Sequence, residues 1–279
     1  MVVADNCALF VNGVFENYQT LDGSTLFLGA FFFTIQIYGD FSGYSDIAIG
    51  CARLFGIDLM QNFKYPYFSR DIAEFWRRWH ISLTTWFRDY IYIPLGGSRA
   101  GKWKSFRNTL VIFLVSGFWH GANWTFVAWG AYHALLFLPL LLLGQNRRYR
   151  DSVAENSFLP SVKELTQMGA TFLLVLLGWI LFRSEDISQA AVYLERMFNV
   201  SLFSAPQLVG LGFGQLLLKK CFFFTALMFV VEWIGRKQAH GLMIEDLSLP
   251  VRYVIYTVLL IIIYGFDASN PQGFIYFQF

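Results

Sequence analysis

One of the four histidines in this sequence stands where proton transfer could do chemistry. His120 lies between two apolar runs, and Gly117 and Gly121 near it permit close approach of a backbone or a substrate. Ser116 lies one helical turn before His120, on the same face of a helix. A neutral imidazole in an apolar setting can take a proton from a hydroxyl group, because desolvation disfavours its charged form. From these residues alone, His120 is either a general base or a buried structural histidine.

The other three histidines lie in less reactive settings. His80 falls on the flank of an apolar helix face, His133 lies inside an apolar run, and His240 is in a polar loop. We interpret His133 as a core residue that makes one hydrogen bond, because nothing polar surrounds it in the sequence. A metal site built on His80 and His120 is disfavoured, because the sequence has no HExxH motif and no cysteine or aspartate nearby at ligand spacing. We therefore expect no bound metal.

Two carboxylates stand inside the first long apolar stretch, residues 26–57. Asp40 and Asp46 enclose a short polar segment there, and a simple membrane span has no use for them. They could form a proton or ion path of the kind that transporters use, since an ionisable residue at membrane depth is by default a functional hypothesis. They could equally be helix-end residues that pair with Arg53 or with backbone amides. The sequence leaves both interpretations open.

Composition decides the class of protein that positions these residues. Hydrophobic residues make up 56% of the chain and charged residues 14%, whereas soluble domains carry about 25% charged residues. A surface with so few charges suits lipid, so we expect an all-α protein with membrane-crossing helices. Ten of the 21 lysines and arginines fall in residues 53–107, against four acids. This basic block favours the cytoplasmic side, and in a membrane-embedded chain it does not indicate nucleic-acid binding.

The segments around the histidines predict unusual elements. Residues 70–92 place tryptophan and leucine opposite arginine, which predicts one amphipathic helix in the plane of the membrane. Residues 108–119 would reach roughly 18 Å as a helix, about half of a hydrocarbon core of about 30 Å, whereas residues 124–143 are long enough to cross. Basic residues at both outer ends of this pair predict that both ends lie on one side, with His120 at a turn deep in the membrane. Further spans are predicted at residues 165–182, 216–234 and 251–266, and an amphipathic interfacial helix at residues 185–199.

Four motifs of this sequence occur together in a known family. In chain order they are residues 40–46 (DFSGYSD), 74–83 (EFWRRWHISL), 88–97 (RDYIYIPLGG) and 118–124 (FWHGANW). Together they resemble the membrane-bound O-acyltransferase (MBOAT) family, most closely its membrane subunits that O-acetylate alginate. The resemblance is dense from residue 2 to about residue 143, and the C-terminal segment 274–279 (FIYFQF) is similar to that subgroup as well. The order and density of the motifs make the resemblance specific.

The resemblance implies an activity and a role for two histidines. His120 matches the near-invariant histidine of the family, which is taken to be the catalytic base, and His80 matches a second signature position that holds Asn or His. The fold implied is a bundle of transmembrane, re-entrant and interfacial helices around a tunnel. An acyl donor, with acetyl-CoA as the expected cosubstrate and no bound cofactor, would enter from the cytoplasm. A hydroxyl group would accept the acyl group on the periplasmic side.

The same resemblance implies surroundings, partners and further site residues. We expect a multi-pass protein of the bacterial inner membrane, in contact with lipids, that acts with a periplasmic SGNH-type or acetyltransferase partner on an exopolysaccharide or a cell-wall glycan. Residues 1–279 would form one MBOAT domain, and we expect the N-terminal helices usual in the family to be missing from this chain. Two alternatives stay open, a non-catalytic scaffold and a transport subunit of a polysaccharide-modifying complex. The residues expected to bind substrate are Asp40, Ser42, Tyr44, Asp46, Arg77, Ser116, Trp119 and Asn123.

Overall fold

The computed structural model describes residues 2–98, 101–207 and 215–266 of the chain, and regular structure in these ranges is helical throughout. The predicted all-α class is therefore confirmed for the described residues, whereas the segment 274–279 lies outside them. A π-helical turn, Arg88–Tyr92, and two short 3₁₀ segments, Pro66–Phe68 and Val200–Phe203, join the longer helices. In chain order, these helices are α1 (Ala4–Glu16), α2 (Gly23–Leu54), α3 (Ile72–Arg78), α4 (Ile81–Phe87), α5 (Lys102–His120), α6 (Trp124–Leu142), α7 (Val162–Arg183), α8 (Ile187–Met197), α9 (Gln215–Gly235) and α10 (Leu249–Phe266).

The chain forms two compact units, Met1–Tyr44 with Ala191–Phe279, and Ser45–Ala190. In the first unit α1 packs against α9. Its aromatic core includes Phe15 stacked on Tyr193, with 4.5 Å between the ring centroids, and the Tyr193 hydroxyl donates a hydrogen bond to the backbone oxygen of Leu26 at 2.7 Å. The second unit contains α3 to α7 and therefore both signature histidines.

Three helices of the described residues, α6, α7 and α10, are long and apolar enough to cross a membrane. They match the spans predicted at residues 124–143, 165–182 and 251–266. The span predicted at residues 216–234 is helical, as α9, but α9 is not one of the three because it carries Lys219, Lys220 and Glu232. The prediction of a helix is confirmed there, and the prediction that this helix crosses a membrane stays a prediction.

α2 runs without a break through the carboxylate-bearing segment 40–46. Asp40 is half-buried and Asp46 is exposed, and both lie within the helix rather than at its end. The interpretation of these carboxylates as helix-end residues is therefore wrong. Gly43 does not stop the helix, because one glycine in a helix interior costs only about 1 kcal/mol relative to alanine.

Residues 70–92 form three short pieces instead of the single amphipathic helix that their pattern predicts. Trp79 is extended after α3, and His80 adopts left-handed backbone angles of φ 43° and ψ 55° before α4 begins. At this interruption of the helix, the backbone forms a hydrogen bond with an earlier loop: the amide of Ile81 donates to the backbone oxygen of Asn62 at 2.9 Å. Periodicity along the chain cannot reveal such a contact with a distant loop. The position of these pieces in the plane of a membrane stays a prediction.

α5 and α6 form a closely packed antiparallel hairpin with His120 at the end of α5. Two glycines permit this close packing. A Cβ atom on Gly117 would lie 2.2 Å from the backbone oxygen of Phe126, and one on Gly130 would lie 2.2 Å from the backbone oxygen of Phe113. Any larger residue at either position would force the two helices apart.

The outer ends of this hairpin are basic, as the sequence pattern predicts. α5 begins at Lys102, before the predicted segment 108–119, because the basic residues that precede the apolar run are helical too. The antiparallel packing puts the start of α5 and the end of α6 at the same end of the hairpin, and the turn after His120 at the other. Arg147, Arg148 and Arg150 come shortly after the end of α6, beyond the segment 143–146. The hairpin has the predicted form, and its depth in a membrane stays a prediction.

Candidate active site

Two histidines that the sequence singles out contact one indole ring. The ring of Trp119 lies 5.0 Å from that of His120 and 6.3 Å from that of His80, between ring centroids. His80 is 8% exposed, and His120 is half-buried. His120 ends α5, whereas His80 immediately precedes α4. Two motifs far apart in the sequence therefore form one site.

Burial favours the neutral form of His80, because it lowers the pKa of this imidazole to about 4. A neutral imidazole has one nitrogen that accepts a proton and one N–H that donates a hydrogen bond. Within the described residues, no group of three or more His, Cys, Asp or Glu side chains is arranged to hold a metal ion.

An unusual backbone conformation holds His80. Left-handed backbone angles are uncommon for residues with a side chain, but asparagine and histidine are enriched several-fold among those that adopt them. Asn62 stabilises the turn, because its side-chain oxygen accepts from the amide of Ser82 at 3.2 Å and its amide group donates to the hydroxyl of Ser45 at 3.2 Å. Sequence reasoning missed Asn62, which looks like an ordinary polar loop residue.

Aromatic rings from α6 and α7 cover one side of His120. Between ring centroids, its imidazole lies 5.0 Å from Phe182, 5.3 Å from Trp129 and 6.4 Å from Phe126. These three residues are at most 6% exposed, whereas Trp124, the first residue of α6, is 77% exposed. The imidazole therefore has a dry, apolar side, where electrostatic interactions are stronger than in water.

Two more of the predicted substrate residues lie at the His120 turn. Asn123 caps α6, because its side-chain oxygen accepts from the amide of Thr125 at 3.1 Å, and its amide group donates to the backbone oxygen of Glu185 at 2.6 Å. These bonds attach the turn to the residues that follow α7. Ser116 is buried one turn before His120 on the same face of α5. Their contact with a substrate stays a prediction.

The other predicted substrate residues are less closely tied to this site. The guanidinium group of Arg77 donates to the backbone oxygens of Asn146 at 2.6 Å and Tyr149 at 2.5 Å, so it attaches α3 to the segment after α6. The remaining four lie on α2, three of them in the first unit and one in the second: Asp40, Ser42, Tyr44 and Asp46.

A buried ion cluster fixes the helix that leads into the second signature histidine. Glu74, which is 1% exposed, accepts hydrogen bonds from Arg70 at 3.0 Å and from Arg78 at 2.5 Å. Arg70 also forms ion pairs with Asp151 at 3.1 Å and Glu164 at 3.5 Å. These contacts attach α3 to the segment before α7 and to the first turn of α7. Sequence reasoning missed the cluster, although the i, i+4 spacing of Arg70, Glu74 and Arg78 could have revealed it.

Comparison with known proteins identifies the family of this chain. The family model described as MBOAT, membrane-bound O-acyltransferase family, matches residues 12–155. The chain is 41% identical over 221 residues to a probable alginate O-acetylase, AlgI, of Pseudomonas aeruginosa, covering 77% of this chain and 40% of the relative. It is 37% identical over 201 residues to a peptidoglycan O-acetyltransferase of Helicobacter pylori, covering 72% and 37%. It is 40% identical over 108 residues to a teichoic acid D-alanyltransferase of Streptococcus thermophilus, covering 36% and 26%.

The share of each protein that is matched decides which conclusions the comparisons allow. The chain spans about two fifths of the length of the alginate O-acetylases that it matches. The family match covers about half of the chain and includes His80, His120 and the four motifs around them. The chain therefore belongs to the membrane-bound O-acyltransferase family.

Proposed function

We propose that the protein is a multi-pass membrane O-acyltransferase that takes an acetyl group from a cytoplasmic thioester, acetyl-CoA, for O-acetylation of an exopolysaccharide or a cell-wall glycan. Family membership supports this proposal, as do the names of two relatives, an alginate O-acetylase and a peptidoglycan O-acetyltransferase. The observation that carries it is the contact of both His80 and His120 with Trp119 at the turn of the α5–α6 hairpin.

His120 acts as the general base in this reaction. A hydroxyl group is a poor nucleophile until a neighbouring base takes its proton as it attacks. The neutral imidazole accepts that proton while the oxygen attacks the carbonyl carbon of the thioester. A carbon–oxygen bond forms, the carbon–sulfur bond breaks, and the proton passes to the departing thiolate. The products are an ester and a free thiol, so atoms and charges balance.

His80 orients a substrate and does not take the proton. Its ring is nearly buried and its backbone is fixed by the turn at Asn62. Its neutral imidazole can donate one hydrogen bond and accept another beside Trp119. Asp40, Ser42, Tyr44, Asp46, Arg77, Ser116, Trp119 and Asn123 remain our candidates for further substrate contacts.

The two ends of the hairpin serve the two substrates. The basic start of α5 faces the cytoplasm, as an excess of lysine and arginine favours, and attracts the phosphate groups of the donor. The acceptor hydroxyl arrives from the periplasm, and a tunnel joins both sides at His120. A periplasmic SGNH-type or acetyltransferase partner then modifies the polysaccharide. In a bacterial inner membrane, α10 contacts lipid, in keeping with an apolar helix that buries none of its residues.

Replacing the base tests this proposal. We express the native gene in its own membrane, supply labelled acetyl-CoA to the cytoplasmic side, and measure labelled glycan at equal membrane abundance of each variant. We expect His120→Ala to insert normally and to lose about 10²–10⁴-fold in rate. His80→Ala should lose less, and His80→Asn less still, because asparagine tolerates the left-handed backbone.

Two outcomes would favour the alternative functions. Wild-type acetylation by His120→Ala would make the proposed mechanism wrong and favour a non-catalytic scaffold. If Asp40→Asn with Asp46→Asn abolishes function while His120→Ala does not, a transport subunit becomes the better interpretation.

A further inference from the structure

His133 of α6 is wholly buried, and among the described residues neither of its ring nitrogens has a hydrogen-bond partner. The prediction that it makes one hydrogen bond is therefore wrong. Aromatic rings surround it, with Trp76 at 5.0 Å, Trp129 at 5.2 Å and Tyr132 at 5.3 Å between ring centroids. A phenylalanine would fill the same space without burying two unpaired polar atoms, which is unfavourable. The imidazole therefore calls for a role beyond packing.

The same cluster holds buried hydrogen-bond donors. The indole nitrogens of Trp76, Trp129 and Trp179 have no partner within the described part of the chain. An indole can only donate, whereas a neutral imidazole offers one acceptor nitrogen. Gly178 of α7 covers Nε2 of His133 so closely that a Cβ atom there would lie 2.6 Å from it. Nδ1 is therefore the nitrogen of His133 that is left for an indole N–H.

Trp129 connects His133 to His120. Its ring stands at 89° to the imidazole of His120, with 5.3 Å between centroids, and at 72° to that of His133, with 5.2 Å. Trp129 is 1% exposed and lies one helical turn before His133 on the same face of α6. A rotation of this indole must therefore displace the imidazoles packed against it.

We propose that His133 is a positioning residue for acyl transfer. Its Nδ1 accepts a hydrogen bond from Nε1 of Trp129 in the substrate complex, and the indole so fixed sets the orientation of His120. Hydrogen bonds at an active site are often long before substrate binds and tighten only in the complex. This inference rests on the proposed function, since it requires His120 to be the base.

Substitutions at His133 separate the acceptor from the shape of the ring. In membranes that carry the native gene, we measure kcat and KM for acetyl transfer at known abundance. His133→Phe keeps the shape and removes the acceptor, so kcat should fall about 10- to 100-fold with KM unchanged, as small misplacements of a catalytic group do. His133→Asn puts an oxygen near the position of Nδ1 and should restore most of kcat. His133→Gln puts it near Nε2, against Gly178, and should not.

Two further variants control for packing. Gly178→Ala pushes a methyl group against the imidazole without changing it, and should lower kcat. Tyr132→Phe removes a hydroxyl that donates to the backbone oxygen of Leu174 at 2.8 Å but leaves the acceptor of His133 in place, and should keep the wild-type kcat.

The outcomes distinguish this inference from the proposed function. If His133→Phe keeps the wild-type kcat while His120→Ala is inactive, the positioning role is wrong and the proposed function stands. Equal losses in the Asn and Gln variants, or lower abundance with a normal kcat per molecule, would show that His133 only packs. If His120→Ala is active, the proposed function itself is wrong.

Discussion

Replacing Glu74 with alanine removes a carboxylate that lies between two buried guanidinium groups. The side chains of Glu74, Arg70 and Arg78 are 1%, 4% and 11% exposed. Glu74 accepts four hydrogen bonds, three from Arg70 at 2.7, 3.1 and 3.0 Å and one from Arg78 at 2.5 Å. The alanine variant leaves both cations in an environment that water hardly reaches.

The expected loss in the free energy of unfolding depends on which partners Arg70 and Arg78 retain in the Glu74→Ala variant. Arg70 retains ion pairs with Asp151 and Glu164, whereas Arg78 retains the backbone oxygen of Asp151 at 3.3 Å. Removing one partner of a buried ion pair typically costs about 3–5 kcal/mol. Because Arg70 is partly compensated, we expect a loss near the lower end, about 3 kcal/mol. That corresponds to roughly a 100-fold lower ratio of folded to unfolded protein.

Unfolding by SDS titration in mild detergent measures this loss, and Asp89→Ala is the matched control. Asp89 pairs with Arg88 at 2.7 Å, but the two side chains are 41% and 59% exposed, and such pairs contribute about 0–1 kcal/mol. The difference between the two variants isolates the effect of burial. If Glu74→Ala is destabilised no more than Asp89→Ala, the reasoning about the buried cluster is refuted.

Three other perturbations test the site and its supports. Gly117→Ala should open the α5–α6 hairpin, because its methyl group would lie 2.2 Å from a backbone oxygen, and should lower acetylation strongly. Gly169→Ala, with nothing within 4 Å of the added carbon, should not, and equal activities would contradict the packing argument. Because burial lowers the pKa of His80 to about 4, this imidazole stays neutral at the usual histidine pKa of about 6.5, and the pH–rate profile should lose the contribution of His80 only as the pH approaches 4. Between about pH 6.5 and pH 4, His80 binds a proton in the unfolded chain but not in the folded one. The free energy of unfolding should therefore fall as the pH drops from about 6.5 toward 4. A free energy of unfolding that does not change with pH would contradict this. Lys102→Gln with Lys104→Gln should raise the KM for the donor at unchanged kcat, whereas an unchanged KM with normal insertion would leave these lysines only a topological role.

The helices that could be predicted from the sequence are those whose pattern is local. α6, α7 and α10 follow directly from long, mainly apolar runs. The break at His80 could not be predicted, because it depends on a backbone bond from Ile81 to the distant Asn62. For α2 the error was the opposite one: the polar segment 40–46 suggested a helix end, but the helix continues through it.

Sequence reasoning singled out the two histidines of the candidate site but not the residues around them. His120 stands out as an ionisable group between two apolar runs, whereas His80 was singled out by its match to a family motif. Trp129 and Phe182 could not be singled out among the 9 Trp and 31 Phe of this chain, although both lie within 5.3 Å of the His120 ring. The predicted hydrogen bond of His133 is not formed, and the sequence could not show this, because it depends on how α6 packs against α7.

Two different sets of contacts hold the two histidines of the candidate site, and each set fixes the position of one histidine. His120 depends on the α5–α6 hairpin, whose close packing rests on Gly117 and Gly130. His80 depends on α3, held by the buried ion cluster, and on the turn at Asn62. The two sets of contacts share no residue, yet both histidines contact the indole ring of Trp119. Precise placement of two groups on rigid, separately anchored elements is what the proposed reaction between two bound substrates would require.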